Sequence, residues 1–584
     1  MIVGLIAGLG AIFFQIVTQA VFYYVMERVV GYHPVKPTGE PSLAFLPETF
    51  GSFHPILLLV VPTIGGILSG LIVFLVAPEA EGHGTDAVIA AYHYHQGQIR
   101  ARVPMVKTVA SAITIGTGGS GGREGPIAQI AAGFASLLSR LMKLRPAEAR
   151  VLLAAGMGAG IAAIFRAPLA GALFAAEVLY WSPEFEAEVI LPAGIASVVS
   201  YSCYGARFGW APLFTIPELA FDDPRQLGPY FLLAIFVIIL AFLYTHTFYG
   251  VTRLFHGLKM PRALKPAVGA FVTGAIGLGL YYLLGKNQHA LAVLSFGYGA
   301  IQDALVGDGG DGVVLLLAIA LGKILTTSMT IGSGGSAGVF GPSMVIGGCG
   351  GGALGVLFHQ WWPALVPHPA SFVIVGMAGF FAAAAKTPFS TLVIVSEMTG
   401  GYHLLLPSLW VCLLSFMLSD RLSIYTSQVE TRSRSPAHKG AYIRDVLDGV
   451  QVNRFLQADM TVPVLHRGDS LATVLERLDQ SRFPVLPVVD GEDRLLGVVN
   501  LEEAHLASTQ PMLGDFVVVD DLMRSGVVPL TPDDQLDRAM ELFIENDLLA
   551  LPIVNDILDK KILGMVRRFD IASEYLRLVH ESRS

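Results

Sequence analysis

The chain has 584 residues, of which 53% are hydrophobic and 14% charged, with a formal net charge of −8. Soluble domains carry about 25% charged residues, so a wholly water-soluble protein is excluded, and the acidic balance leaves no basic patch for nucleic acid. Its three cysteines, Cys203, Cys349 and Cys412, all stand in apolar stretches; they make a poor disulfide framework and read as packing residues.

Charges are sparse up to about Arg421 and dense after Thr431, which divides a membrane part from a water-soluble tail. The apolar start at Met1–Tyr24, with no basic region before it, reads as a mature spanning helix rather than a cleaved signal. A helix needs about 20 apolar residues to cross a bilayer. Spans are predicted at Ile2–Met26, Ile56–Val76, Tyr230–Phe248, Ala267–Leu284, Val313–Met329 and Leu404–Leu418. Shorter runs, broken by glycine and proline, lie at Ile127–Met142, Val151–Ile164, Leu169–Tyr180, Val189–Tyr204 and Phe372–Ala385. They predict broken or re-entrant helices. Non-helical backbone at membrane depth survives only where protein or a water cavity surrounds it, so a lined pathway is expected.

The strongest internal signal is a repeat. Thr114-Ile-Gly-Thr-Gly-Gly-Ser-Gly-Gly-Arg-Glu-Gly-Pro126 matches Thr330-Ile-Gly-Ser-Gly-Gly-Ser-Ala-Gly-Val-Phe-Gly-Pro342 at nine of thirteen positions, 216 residues apart. A second pair follows in the same order: Gly156 through Arg166-Ala-Pro168 to Glu177 matches Gly376 through Lys386-Thr-Pro388 to Glu397, 220 residues apart. Paired, Gly-interrupted apolar segments in two halves point to a transport site. The expected fold is an all-α polytopic membrane domain over residues 1–430, with halves at about 1–210 and 225–430.

The Ser-, Thr- and Arg-rich stretch Ser427–Lys439 reads as a linker, placed at 431–451 between the domains. The tail then repeats a unit, at 452–508 and 516–580. Each has an amphipathic helix (Leu471, Val474, Leu478; Leu536, Met540, Phe543) followed by two short strands, Pro484–Val489 and Leu495–Val499, then Leu551–Val554 and Ile562–Val566. An α/β pair packed on itself is expected.

Glycine runs before apolar helices let backbone approach a ligand closely, and a helix N-terminus offers unpaired N–H groups and a positive dipole end to an anion. Gly338-Val-Phe-Gly-Pro342 suits this design, with the N–H groups of Val339 and Phe340 as donors. The competing reading, glycines for tight helix packing, is weakened because the element occurs twice. Glu124 is a carboxylate inside a Gly-rich apolar segment, and an intramembrane acid is a functional candidate by default. It aligns with Phe340, so only one half carries it. It suggests a pH-linked gate that occupies an anion site when ionised; the competing reading is a salt bridge to Arg123.

Gly121-Gly-Arg-Glu-Gly-Pro126, Gly338-Val-Phe-Gly-Pro342 and Ala167-Pro-Leu-Ala-Gly171 resemble the signature elements of the CLC chloride channels and transporters, in order along Met1 to about Tyr425. The tail resembles a pair of CBS domains. The resemblance implies a homodimer with one anion path per subunit, an inverted repeat, and a multi-pass location in a prokaryotic inner membrane with a cytoplasmic tail. It gives Glu124 the role of external gate, with Val339, Phe340, Gly125 and the Tyr425 hydroxyl at the anion. In the family's first anion loop, usually Gly-Ser-Gly-Ile-Pro-Glu, this chain reads Gly82-His-Gly-Thr-Asp-Ala87. His83 therefore stands where the serine would be, as an anion ligand or as a loop residue facing water. Where proton-coupled members often carry an internal glutamate, this chain has Val178, as channel-type members do. Some members begin with a cytosolic helix, whereas here the chain starts in a spanning helix.

In the tail, Asp570 and Glu503 occupy the position at which CBS pairs hold a ribose; a surface acid opening a helix is the alternative. No metal or tightly held cofactor is expected: chloride is the permeant ligand and an adenine nucleotide a candidate for the tail. The expected function leans to a gated chloride channel with CBS regulation. The alternatives are a proton-coupled exchanger for chloride, another halide or nitrate, and a membrane-anchored nucleotide sensor. No nucleophile constellation suggests an enzyme.

Overall fold

The structure is a computed structural model, and it describes residues 1–40, 43, 51–307, 312–438, 447, 449–456, 462–509 and 516–581. The chain forms two compact units, Met1–Ala437 and His438–Ser584. The tract read as a linker at 431–451 falls partly outside the described residues.

Among the described residues the membrane unit holds two successive sets of eight α-helices. The first set is α1 (Ile2–Phe22), α2 (Leu57–Val76), α3 (Thr85–Tyr94), α4 (Arg102–Gly116), α5 (Glu124–Leu141), α6 (Pro146–Phe165), α7 (Pro168–Glu177) and α8 (Ala187–Phe208). The second is α9 (Leu227–Gly257), α10 (Lys265–Leu283), α11 (Tyr298–Val306), α12 (Gly312–Gly332), α13 (Phe340–Trp361), α14 (Ala370–Ala385), α15 (Pro388–Thr399) and α16 (Leu405–Leu418). Backbone irregularities repeat with the sequence. Gly118 and Gly334 both have φ of 104°, and Arg166 and Lys386 end α6 and α14 in the left-handed region at 56° and 61°. Proline then opens the next helix in each half, where its missing N–H costs nothing.

Two reciprocal contacts show how the halves are related. Gly122 N–H donates to Gly338 C=O and Gly338 N–H to Gly122 C=O, both at 2.7 Å, with the chains antiparallel. These are equivalent residues of the repeat, so the exchange places a local two-fold axis between them. The same axis relates α7 and α15. Glu177, ending α7, accepts from Phe389 N–H (3.1 Å) and Ser390 N–H (2.7 Å), while Glu397 of α15 accepts from Leu169 N–H (3.3 Å) and Ala170 N–H (2.9 Å). Each carboxylate satisfies the orphan donors at the other helix's N-terminus. The repeat is therefore inverted, and Glu177 is a structural acid.

Among the described residues, eight helices are long and apolar enough to cross a membrane. The span expected at Leu404–Leu418 is a helix of 14 residues, Leu405–Leu418, too short to cross, whereas Pro146–Phe165 and Ala187–Phe208 reach spanning length from segments read as broken, and Phe340–Trp361 is a further helix of spanning length. The glycines that looked like interruptions let helices pack. A Cβ at Gly158 would meet Gly171 C=O at 2.5 Å, and one at Gly347 would meet Gly376 C=O at 2.5 Å.

The start of the supposed linker is also packed. Ser427 N–H donates to Asp86 (2.8 Å), Ser435 Oγ meets His93 Nδ1 (2.7 Å), and Arg432 N–H donates to Glu184 (2.6 Å), so these polar residues are knitted into the membrane unit.

In the second unit β1 (Leu465–His466), β2 (Val485–Val489), β3 (Leu495–Asn500) and β4 (Arg524–Ser525) form one sheet in sequence order, β1–β2 parallel and the rest antiparallel. A second, antiparallel sheet pairs β5 (Ala550–Val554) with β6 (Ile562–Arg567). Helices α17 (Leu471–Asp479) and α20 (Leu536–Asn546) carry the apolar stripes expected of them. Between them lie α18 (Leu501–Ser508) and α19 (Val519–Leu522), and α21 (Arg568–Glu581) closes the unit.

The two-fold contact has no room for a side chain. A Cβ at Gly338 would lie 2.8 Å from both Gly122 C=O and Gly125 N. Gly338→Ala is expected to cost about 1–3 kcal/mol and to lower the thermal unfolding midpoint of the detergent-purified protein. An unchanged midpoint would show that the halves are not held by this approach.

Candidate functional site

Three loops converge where the halves meet. They are Gly82–Thr85 before α3, Gly121–Gly125 entering α5, and Ala337–Gly341 entering α13. A Cβ at Gly125 would stand 2.9 Å from Gly338 Cα and 3.2 Å from the His83 carbonyl carbon. Only glycine permits this approach, which brings helix N-termini to one point. Val339 caps α13 and has no side-chain partner for its cap, so the N–H groups at this terminus face the junction.

Glu124 is 1% exposed. Its Oε2 accepts from Gly341 N–H at 3.2 Å, and its Oε1 accepts from the Tyr298 hydroxyl. The carboxylate therefore sits at the N-terminus of α13, where an anion would sit. Arg123 turns the other way. Its guanidinium forms a two-pronged pair with Glu40 (2.5 and 2.9 Å), donates to Gln15 (2.7 Å) and lies 5.0 Å over the Phe296 ring. The salt bridge from Glu124 to Arg123, weighed against a gate, is not formed. Phe340, the two-fold mate of Glu124, packs instead among Phe381, Phe165 and Phe174 at centroid distances of 4.0, 4.5 and 5.9 Å.

Below this junction stand buried polar atoms without a hydrogen bond of normal geometry among the described residues: His83 Nδ1 and the hydroxyls of Tyr425 and Tyr244. The His83 ring is 5.6 Å from that of Tyr425 and 6.0 Å from that of Phe248. Thr85 lies beside the Tyr425 hydroxyl. His83 is thus turned inward, not out to water. Buried polar groups need partners; Ser343 lies beside the Tyr244 hydroxyl as Thr85 does beside that of Tyr425, and a small dehydrated anion would be a further acceptor for both hydroxyls. Sequence reading missed Tyr244, which stands at the end of the long apolar run that opens α9.

Two buried lysines, also missed, are two-fold mates 216 residues apart. Lys107 Nζ donates to the carbonyls of Ala80 (3.0 Å) and Gly82 (2.6 Å), and Lys323 Nζ to those of Ser295 (2.8 Å) and Ala292 (3.2 Å). Each pins the loop that opens α3 or α11. Val178 is fully buried and offers only its carbonyl, which accepts from Gln428 (2.9 Å).

In the second unit the two candidate acids are engaged by arginines. Asp570 takes Arg567 through both oxygens (2.6 and 3.0 Å), and Glu503 takes Arg524 (3.2 Å). Burial pushes the Asp570 carboxyl up, but the Arg567 hydrogen bonds outweigh that and hold it below the usual range. Both acids lie in the first turn of the helix after a second strand.

The family described as the voltage-gated chloride channel matches residues 65–420, and the CBS domain matches residues 458–505 and 519–577. The chain is similar to proteins named H(+)/Cl(-) exchange transporter. One from Vibrio cholerae serotype O1 is 30% identical, covering 70% of this chain and 82% of that protein. Another, from Citrobacter koseri, is 32% identical over 59% of this chain and 71% of that one. Among solved structures, a slow cyanobacterial Cl−/H+ antiporter superimposes with a TM-score of 0.60 at 23% identity, over 72% of this chain and 92% of the other. A eukaryotic CLC transporter does so at 0.56 and 20%, over 97% and 96%.

If His83 contacts the anion, His83→Ala removes one polar partner, and chloride binding measured by calorimetry is expected to weaken about three- to tenfold. Unchanged affinity would return His83 to the role of a loop residue.

Proposed function

This chain belongs to the CLC family of voltage-gated chloride channel proteins, and on that premise we propose that it exchanges chloride or a related small anion for protons across a membrane. The observation that carries the reading is the seating of Glu124 at the α13 N-terminus, on Gly341 N–H. Ionised, the carboxylate fills the anion's place and blocks the path. Protonated, it loses its charge-assisted bonds, leaves, and an anion takes its donors. One acid that alternates with the anion and carries a proton links the two fluxes. The names of the bacterial relatives favour exchange over the passive channel suggested by Val178. With valine there, the inner leg of the proton's route runs through water or polar groups rather than through a carboxylate at that position.

Neutral donors and the helix N-terminus at the site favour anion over cation, and no full positive charge touches the anion directly, which keeps release fast. The reading extends to a homodimer in a prokaryotic inner membrane with the CBS pair in the cytoplasm. That pair would bind an adenine nucleotide through Asp570 and Glu503 once their arginines yield; the placement of both acids after second strands supports this.

Purified protein in liposomes with an outward chloride gradient and a pH-sensitive dye tests the reading. Exchange predicts uphill proton movement driven by chloride. Glu124→Gln is expected to bring proton transport to background and to make chloride flux independent of pH between about pH 4 and 8. Chloride flux without proton movement in the parent protein would establish the passive channel instead.

A further inference from the structure

Glu124 has two partners in its seated position, and one of them is a side chain from the other half of the repeat. The Tyr298 hydroxyl donates to Oε1 while Gly341 N–H donates to Oε2. Gly341 makes room for both, since a Cβ there would meet the Tyr298 oxygen at 2.7 Å and Glu124 Oε2 at 3.0 Å. Tyr298 is held firmly. It opens α11 directly after Gly297, whose φ is 77°. Its ring packs edge-on to Phe214 at 5.9 Å and parallel to Phe296 at 6.4 Å. The preceding loop is pinned by Lys323. The residue also lines a cavity of about 540 Å³ whose walls include neither His83 nor Tyr425, while its hydroxyl reaches the gate.

We propose that Tyr298 is a positioning residue that latches the Glu124 carboxylate in the anion path. The proposal rests on the reading of Glu124 as the gate. Both partners donate to the seated carboxylate, and both bonds are charge-assisted only while it is ionised. Protonation therefore weakens the latch as well as neutralising the charge. The charges packed around the pair are Arg123, Glu40 and Lys323. Those lining the cavity are Glu27, paired with Lys36, and Asp303, paired with His289, beside His33. None of these supplies a second donor to Glu124, so the hydroxyl is the one side-chain contact a conservative substitution removes among the described residues.

Tyr298→Phe keeps the ring and its packing and deletes the donor. The latch predicts a change of sign fixed by the chemistry. Losing a donor destabilises the seated, ionised gate, so opening by acid begins at higher pH. In proteoliposomes, the pH of half-maximal chloride flux is expected to rise by about one unit, the size of one charge-assisted hydrogen bond. Flux at pH 7.5 is expected to rise several-fold. On a Glu124→Ala background, which has no carboxylate to hold, the same substitution should change flux less than twofold. An unshifted pH profile, or an equal effect in both backgrounds, would overturn the latch. A parent protein that moves no protons yet shows an acid-activated chloride flux would remove the exchange reading and leave the latch to be judged by the same shift.

Discussion

The structure depends on one close approach, the pair of backbone hydrogen bonds exchanged by Gly122 and Gly338. Two equivalent residues can each donate to and accept from the other only across a two-fold axis. That constraint inverts one half against the other and brings the N-termini of α5 and α13 together in the interior. Helix N-termini at one point are a positive electrostatic feature that needs no charged side chain. Gly122, Gly125 and Gly338 follow from this, because a Cβ on any of them would strike backbone from the other half. The crossed caps of Glu177 and Glu397 repeat the same geometry at the ends of α7 and α15 and hold the arrangement closed.

Symmetry builds the site, and departures from symmetry give it chemistry. The mate of Glu124 is Phe340, buried among aromatic rings. The loops opening α3 and α11 share the left-handed pattern at Gly82 and Gly84, then at Ser295 and Gly297, so His83 aligns with Phe296 and Thr85 with Tyr298. One half thus offers its loop to the region of Tyr425, and the other offers a phenol to the gate. The retained symmetric features are the scaffold: Lys107 and Lys323 anchor both loops from equivalent positions.

What the sequence made legible was local. Glu124, Gly125, Val339 and Phe340 lie inside a repeated motif, so their neighbourhood could be read from spacing alone. Tyr298 could not, because it meets Glu124 from 174 residues away, and the match of Gly82-His-Gly84 before α3 to Ser295-Phe-Gly297 before α11 is too slight to stand out. Helix length was misjudged where glycine is dense, since glycine in α6 serves contact between helices and not interruption. Residues 427–437 read as a linker by composition, yet their polar groups find Asp86, His93 and Glu184 in the membrane unit. Composition reports which residues can face water, not which have partners inside.

The central claim is that the Glu124 carboxylate and a permeating anion compete for one place at the α13 N-terminus. Anomalous diffraction from crystals grown in bromide, for the parent protein and for Glu124→Gln, tests it most directly. The account predicts bromide beside Gly341 N–H in the variant and no bromide there while the parent's carboxylate is seated. Bromide beside a seated Glu124, or its absence from that position in the variant, would contradict it.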